Sequence, residues 1–262
     1  MIYIAFLIFT FLVLLLAFYQ WQFYMVFSPT YHREGDLCEK CSILTMSADD
    51  GITLEGAIYE PTNPSATLLM FVGRSHDAVG IISKLSLTYP NARVIAFNYR
   101  SYGKSEGKVD EKNMYKDGLK IAALVEKNYG EFYLLGYSIG SSIASYVASH
   151  HKVKKLFLVG AFNSIASLAK SKFVDRSFFP FINLSNIFRY KFRTGEYVKN
   201  IEAPTYFFVS KSDTVTYIEN ARELKKNIKN LAEYVELDEL SHKEILWDPR
   251  VTQIINQEIY SQ

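Results

Sequence analysis

Hydrophobic and polar positions fall into two regimes along the chain. From Met1 to Phe27 only Thr10, Gln20 and Gln22 interrupt an apolar run, and the first Lys, Arg, Asp or Glu is Arg33. A helix over Ile2 to Phe27 would rise about 39 Å at about 1.5 Å per residue, enough to cross a hydrocarbon core of about 30 Å. Tyr3 at one end and Tyr19, Trp21 and Tyr24 at the other sit where amphipathic rings prefer the headgroup level. The run is expected to be a transmembrane anchor rather than a signal peptide: it has no basic n-region, is too long, and no A-x-A-like cleavage site follows. Arg33 and Lys40 follow the span and no Lys or Arg precedes it, a slight lean of the following domain toward the cytoplasm.

Beyond a polar, mixed-charge linker at 28–41, β-like and helix-like segments alternate. Strands are expected at Ser42–Ser47, Thr53–Tyr59, Thr67–Val72, Arg93–Tyr99, Phe132–Gly136, Lys155–Val159, Tyr206–Val209 and Glu233–Leu237. From Thr67 onward several are short, almost continuously apolar runs, as suits parallel strands buried on both faces. Helices are expected at Ala78–Thr88, Glu111–Lys127, Ile139–His150, Tyr217–Asn230 and Lys243–Tyr260. Asp49-Asp50-Gly51 between the first two strands is a hairpin turn. The order predicts a mixed α/β sheet of eight strands, mostly parallel, with helices on both faces. Residues 164–200, rich in Phe, Lys and Arg, break the rhythm as a short helical insertion within one domain over 42–262.

Composition narrows the function. Lys+Arg number 29 against 27 Asp+Glu, so no basic excess points to nucleic acid. Two cysteines are too few for a disulfide scaffold. Cys38-Glu-Lys-Cys41 lacks the further ligands zinc needs. It reads as two free thiols in a reducing compartment, or as a disulfide if the domain faces an oxidising one. No metal or organic cofactor is implied.

Candidate chemistry begins at Gly136-Tyr-Ser138-Ile-Gly140. An apolar strand ends there and a small-residue helix starts just after. A serine on so tight a turn needs glycines two residues to either side, where a side chain would clash. A hydroxyl is a weak nucleophile without a base oriented by an acid, and on such a turn the order is Ser…Asp/Glu…His. Of His32, His76, His150, His151 and His242, only His242 follows Ser138 with a strand–helix unit between. Asp213 ends a late strand and is the candidate acid. Asp238 is the alternative, expected to face solvent.

These residues, with three further stretches, resemble the α/β-hydrolase superfamily over nearly all of 42–260, and most of all its small-cap, membrane-anchored serine hydrolases of lipase, esterase and thioesterase type. Phe97-Asn-Tyr-Arg-Ser-Tyr-Gly-Lys-Ser-Glu-Gly107 is similar to the family's F-D-Y-R-G-x-G-x-S-x-G loop. Asp50-Gly51-Ile-Thr-Leu is similar to its D-G-x-x-L hairpin, and Lys211-Ser-Asp213-Thr-Val-Thr to its acid loop. The resemblance implies a Ser138–His242–Asp213 triad and an oxyanion hole from the backbone N–H groups of Ile139 and Arg74. Val72-Gly73-Arg74 stands where the family commonly has His-Gly, and His76 nearby is expected to stabilise this loop or face solvent. The insertion lies where the family hangs its cap, so Phe173, Phe178, Phe179 and Phe181, with Tyr137, are candidates to line an acyl pocket. The expected substrate is a lipid-like or acylated ester or thioester held near the bilayer. A silent binding protein at the membrane and a peptidase of the same fold are the alternatives.

Overall fold

A computed structural model describes residues 2–33, 36–173 and 187–260. Eight strands form one sheet: β1 (Cys41–Ser47), β2 (Thr53–Tyr59), β3 (Ala66–Phe71), β4 (Ala92–Phe97), β5 (Tyr133–Tyr137), β6 (Leu156–Val159), β7 (Thr205–Ser210) and β8 (Leu231–Leu237). Their spatial order is β1-β2-β4-β3-β5-β6-β7-β8. The hairpin partners β1 and β2 run antiparallel, as do β2 and β4. Every pairing from β4 through β3 to β8 is parallel. Leu68, Leu69, Met70, Leu134, Leu135, Phe157, Leu158, Phe207 and Phe208 are wholly buried, which is why their runs are apolar without alternation.

The helices are α1 (Ile2–Val26), α2 (Ala78–Thr88), α3 (Glu111–Tyr129), α4 (Ile139–His150), α5 (Ile165–Phe173), α6 (Thr194–Tyr197), α7 (Ile218–Lys225), α8 (His242–Ile245) and α9 (Pro249–Tyr260). Two expected helices are shorter than their apolar pattern implied. The last is split, because Pro249 has no N–H to continue α8 and instead opens α9 as its first residue. The helix expected to reach Asn230 stops at Lys225. The Asn-rich stretch Lys226–Asn230 makes turn bonds instead, such as the Asn227 amide on the Leu224 carbonyl at 2.9 Å.

The segment after α1 is strapped to the domain rather than hanging between two parts. The Gly103 N–H donates to the Thr30 carbonyl at 2.9 Å. The Arg33 guanidinium pairs with Glu55 and, at 3.2 Å, with Asp77, two carboxylates that are almost fully buried. Cys38 and Cys41 are joined as a disulfide, not free as the reducing-compartment reading had them. A turn at Glu39-Lys40 brings their Cα atoms to 5.0 Å, within bridging range.

Helix α1 has one exposed stretch and one docked end. Its apolar residues from Ile2 to Leu16 are exposed, and it is long and apolar enough to cross a membrane. Gln22, Val26 and Phe27, at its end, are buried. Phe27 packs edge-on against Tyr190 at 4.7 Å, and the Gln22 side-chain oxygen accepts the Arg189 N–H at 2.7 Å.

Candidate active site

Ser138 stands between β5 and α4 with φ 55° and ψ −121°, a conformation that costs an L-residue roughly 1–3 kcal/mol and survives only where packing imposes it. Packing does so here. A Cβ on Gly136 would meet the Ser141 Cα at 2.6 Å and the Ala144 Cβ at 2.7 Å. One on Gly140 would meet the Phe71 carbonyl oxygen at 2.1 Å. Both glycines are required by the close approach of α4 to β3 and β5. The turn leaves Ser138 at the start of α4, where the first N–H groups, Ile139 among them, have no partner inside the helix.

The three expected side chains meet in one hydrogen-bonded chain. His242 Nε2 lies 2.8 Å from Ser138 Oγ, and His242 Nδ1 lies 2.7 Å from Asp213 Oδ2. Asp213 is buried in the loop after β7. Its Oδ1 accepts the N–H groups of Val215 at 2.7 Å and Thr216 at 2.9 Å, and its Oδ2 accepts the Thr216 hydroxyl at 2.6 Å. Burial alone would push this carboxyl up. The hydrogen bonds and charge of His242, with those from Thr216, outweigh it and hold Asp213 below the usual carboxylate range.

His242 is fixed from every side. Ser241 caps α8 in a capping box with Glu244, and the Ser210 hydroxyl ties the Leu240 carbonyl to β7 at 2.7 Å. The Tyr137 hydroxyl donates to the His242 carbonyl at 3.0 Å while its ring stacks on the imidazole at 5.2 Å. Gly160, with φ +57°, leaves room that a Cβ would fill to within 2.9 Å of His242 Cε1. Neither Thr216 nor Gly160 is marked by the sequence motifs alone. A glycine directly after an apolar strand was the available signal for the second.

The loop after β3 is held by the similar-looking Phe97–Gly107 stretch. The Tyr99 hydroxyl donates to the Val72 carbonyl at 2.7 Å, and the Tyr102 hydroxyl to the Arg74 carbonyl at 2.8 Å. Arg100 forks between Asp117 and Asp50. His76 packs edge-on to Tyr137 at 5.4 Å. Burial pushes its imidazole down to about 4, against the Gly73 carbonyl and with help from the nearby His242.

These elements border an open-mouthed cavity of about 660 Å³ with Ser138, Ile139, Arg74, His76 and His242 in its wall. Tyr137 also borders it, although it is almost fully buried and bonded to His242. Of the expected pocket phenylalanines, Phe178, Phe179 and Phe181 lie outside the described residues. Phe173 is the last residue of α5, and its side chain lies outside them too. Asp238 pairs with Lys211 at the surface, and His150 and His151 sit at the far end of α4, the first hydrogen-bonded to the Tyr146 carbonyl and the second with its Nε2 3.4 Å from the Glu126 carboxylate.

Residues 71–180 match a family described as alpha/beta hydrolase fold. The chain is 27% identical to an uncharacterized protein of Acanthamoeba polyphaga mimivirus over 177 residues, 61% of this chain and 60% of that protein. The chain thus spans less than two thirds of that relative's length. An esterase from Pyrococcus furiosus superposes with TM-score 0.68 at 16% identity, covering 88% of this chain and 97% of that one. A serine hydrolase homologue from Coxiella burnetii gives 0.62 at 17%, covering 86% and 100%. A serine hydrolase without a lid from Xanthomonas campestris gives 0.60 at 14%, covering 87% and 100%.

Proposed function

Because the chain has the α/β-hydrolase fold, we propose that it is a membrane-anchored serine hydrolase acting on a carboxylic ester or thioester. The observation that carries this reading is the Asp213–His242–Ser138 chain, with links of 2.7 and 2.8 Å, opening onto a cavity.

Ser138 Oγ attacks the substrate carbonyl carbon while His242 Nε2 takes the hydroxyl proton. Asp213 accepts the Nδ1–H bond, fixes the tautomer and stabilises the imidazolium. The carbonyl oxygen becomes an oxyanion received by the Ile139 and Arg74 N–H groups, each such donor worth roughly 10²–10³ in rate. As the tetrahedral adduct collapses, the bond to the leaving oxygen or sulfur breaks. His242 returns its proton to that atom, releasing an alcohol or thiol. Water then attacks the acyl-Ser138 ester, with His242 again taking a proton and passing it to Ser138 Oγ, and a carboxylic acid leaves. Helix α1 supplies the anchor that keeps the site at the bilayer.

Turnover of a p-nitrophenyl ester by the full-length protein tests this. Ser138→Ala should lower kcat by at least about 10³-fold. An unchanged rate would sink the reading. Wild-type turnover that Ser138→Ala removes separates it from a silent binding fold, and parallel thioester and peptide panels separate it from a peptidase.

A further inference from the structure

Helix α1, long and apolar enough to cross a membrane, also builds part of the cavity. Trp21, Tyr24 and Met25 of α1 line it together with Ile165, Leu168 and Ala169 of α5. This end of α1 is fastened to the same loop that carries Arg74. The Arg74 guanidinium donates to the Met25 carbonyl, and the Tyr102 hydroxyl that holds the Arg74 carbonyl also accepts the Ser28 N–H at 3.0 Å. Upstream, the apolar surface of α1 is exposed from Ile2 through Leu16. Met25 lies nine positions beyond Leu16, a rise of about 14 Å. Apolar surface therefore runs along one helix from the hydrocarbon core to the wall beside Ser138. Trp21 and Tyr24, at the interface level on such a helix, mark where it leaves the leaflet.

We propose that the last turns of α1 form one wall of an acyl-binding channel, along which a long acyl chain of a membrane lipid ester passes from the leaflet to Ser138. Trp21, Tyr24 and Met25 are then specificity-determining residues. The helix selects chain length as well as holding the protein on the membrane. The chemistry at the channel's end rests on the serine-hydrolase reading; the channel itself rests on the cavity wall.

The test uses the full-length protein in phosphatidylcholine nanodiscs. The ratio of kcat/KM for p-nitrophenyl palmitate to that for p-nitrophenyl acetate is measured in the wild type, in Met25→Trp and in Leu168→Trp, both of which fill the channel. The ratio should fall at least tenfold in both. A ratio unchanged in Met25→Trp but lowered in Leu168→Trp would remove α1 from the channel. Met25→Ala, which widens the wall, covers the case in which the larger side chain disturbs packing, and should move the preferred chain length upward.

A second readout needs no turnover. Phosphatidylcholine with a diazirine at the end of one acyl chain is photolysed with Ser138→Ala, and the crosslinks are mapped. Crosslinks on both residues 21–26 and 165–169 are expected. Crosslinks confined to residues 2–16 would overturn the channel, as would crosslinking at 21–26 by an S-palmitoyl peptide and not by the lipid. Crosslinks at both walls, together with no ester turnover by the wild-type protein, would sink the hydrolase reading and leave the channel standing.

Discussion

Asp213 shows how much of the candidate site is made by residues that do not react. Its carboxylate takes three hydrogen bonds within its own loop as well as that of His242. Its depressed titration means that it stabilises the fold above the ordinary carboxylate range, and that this contribution is lost as pH falls through its lowered folded value. Thr216→Val removes a donor to a charged acceptor, a loss of about 1.5–3 kcal/mol at neutral pH. Urea midpoints should show that deficit shrinking in acid, where the carboxylate protonates; a deficit that does not change with pH would contradict the assignment. His76 predicts a separate pH dependence. Folding holds its imidazole down to about 4 against an ordinary 6.5, so between those values the unfolded chain binds the additional proton. The stability is fully present above about 6.5 and is lost as pH falls toward about 4, on the order of 2 kcal/mol because the ring keeps some contact with solvent. His76→Asn should flatten the stability profile over that window, and a profile as steep as the wild type would refute this cause.

Among the elements, the segment between α1 and β1 departs most from its sequence pattern. Mixed charge and low hydropathy made residues 28–41 read as a linker, yet Arg33 reaches the buried Glu55 and Asp77. Removing one partner from such a group leaves uncompensated buried charge, at about 3–5 kcal/mol. Arg33→Met should therefore lower the thermal midpoint far more than a linker substitution would; a change within about 0.5 kcal/mol would return the segment to a passive role. The strands were legible for the opposite reason: runs such as Leu68-Leu-Met-Phe71 are buried on both faces, and burial of that kind leaves its mark in local composition. The Ser138 turn was legible because its two glycines flank the serine at fixed spacing, between an apolar strand and a small-residue helix. Asp213 and His242 followed from their order along the chain. Pairings across the fold, such as Arg33 with Glu55 or Tyr137 with the His242 carbonyl, leave no local pattern and emerged only with the sheet assembled. The break at Pro249 was written in the sequence but masked by the amphipathic pattern around it.

At the scale of the whole molecule, α1 and the domain are packed as one body rather than joined by a tether. Gln22, Val26 and Phe27 are buried against the domain, so removal of α1 as a signal segment would unpack its edge. The protein should remain in the membrane pellet after alkaline carbonate extraction, with an intact mass that includes residues 1–27. A soluble form lacking them would contradict this arrangement. Orientation has two opposing indicators: Arg33 and Lys40 lean the domain toward the cytoplasm, whereas a formed Cys38–Cys41 bond belongs to an oxidising side. Alkylation with an impermeant maleimide, before and after reduction of sealed vesicles, separates them.

The central claim is that Ser138 is the nucleophile and is activated by His242. Its most direct measurement is the rate at which an alkyl fluorophosphonate labels the full-length protein, with the adduct mapped by peptide mass. One adduct is expected, on Ser138, with labelling slowed by at least about 10³-fold in His242→Ala. An adduct on another serine, or Ser138 labelling at the wild-type rate in His242→Ala, would contradict it.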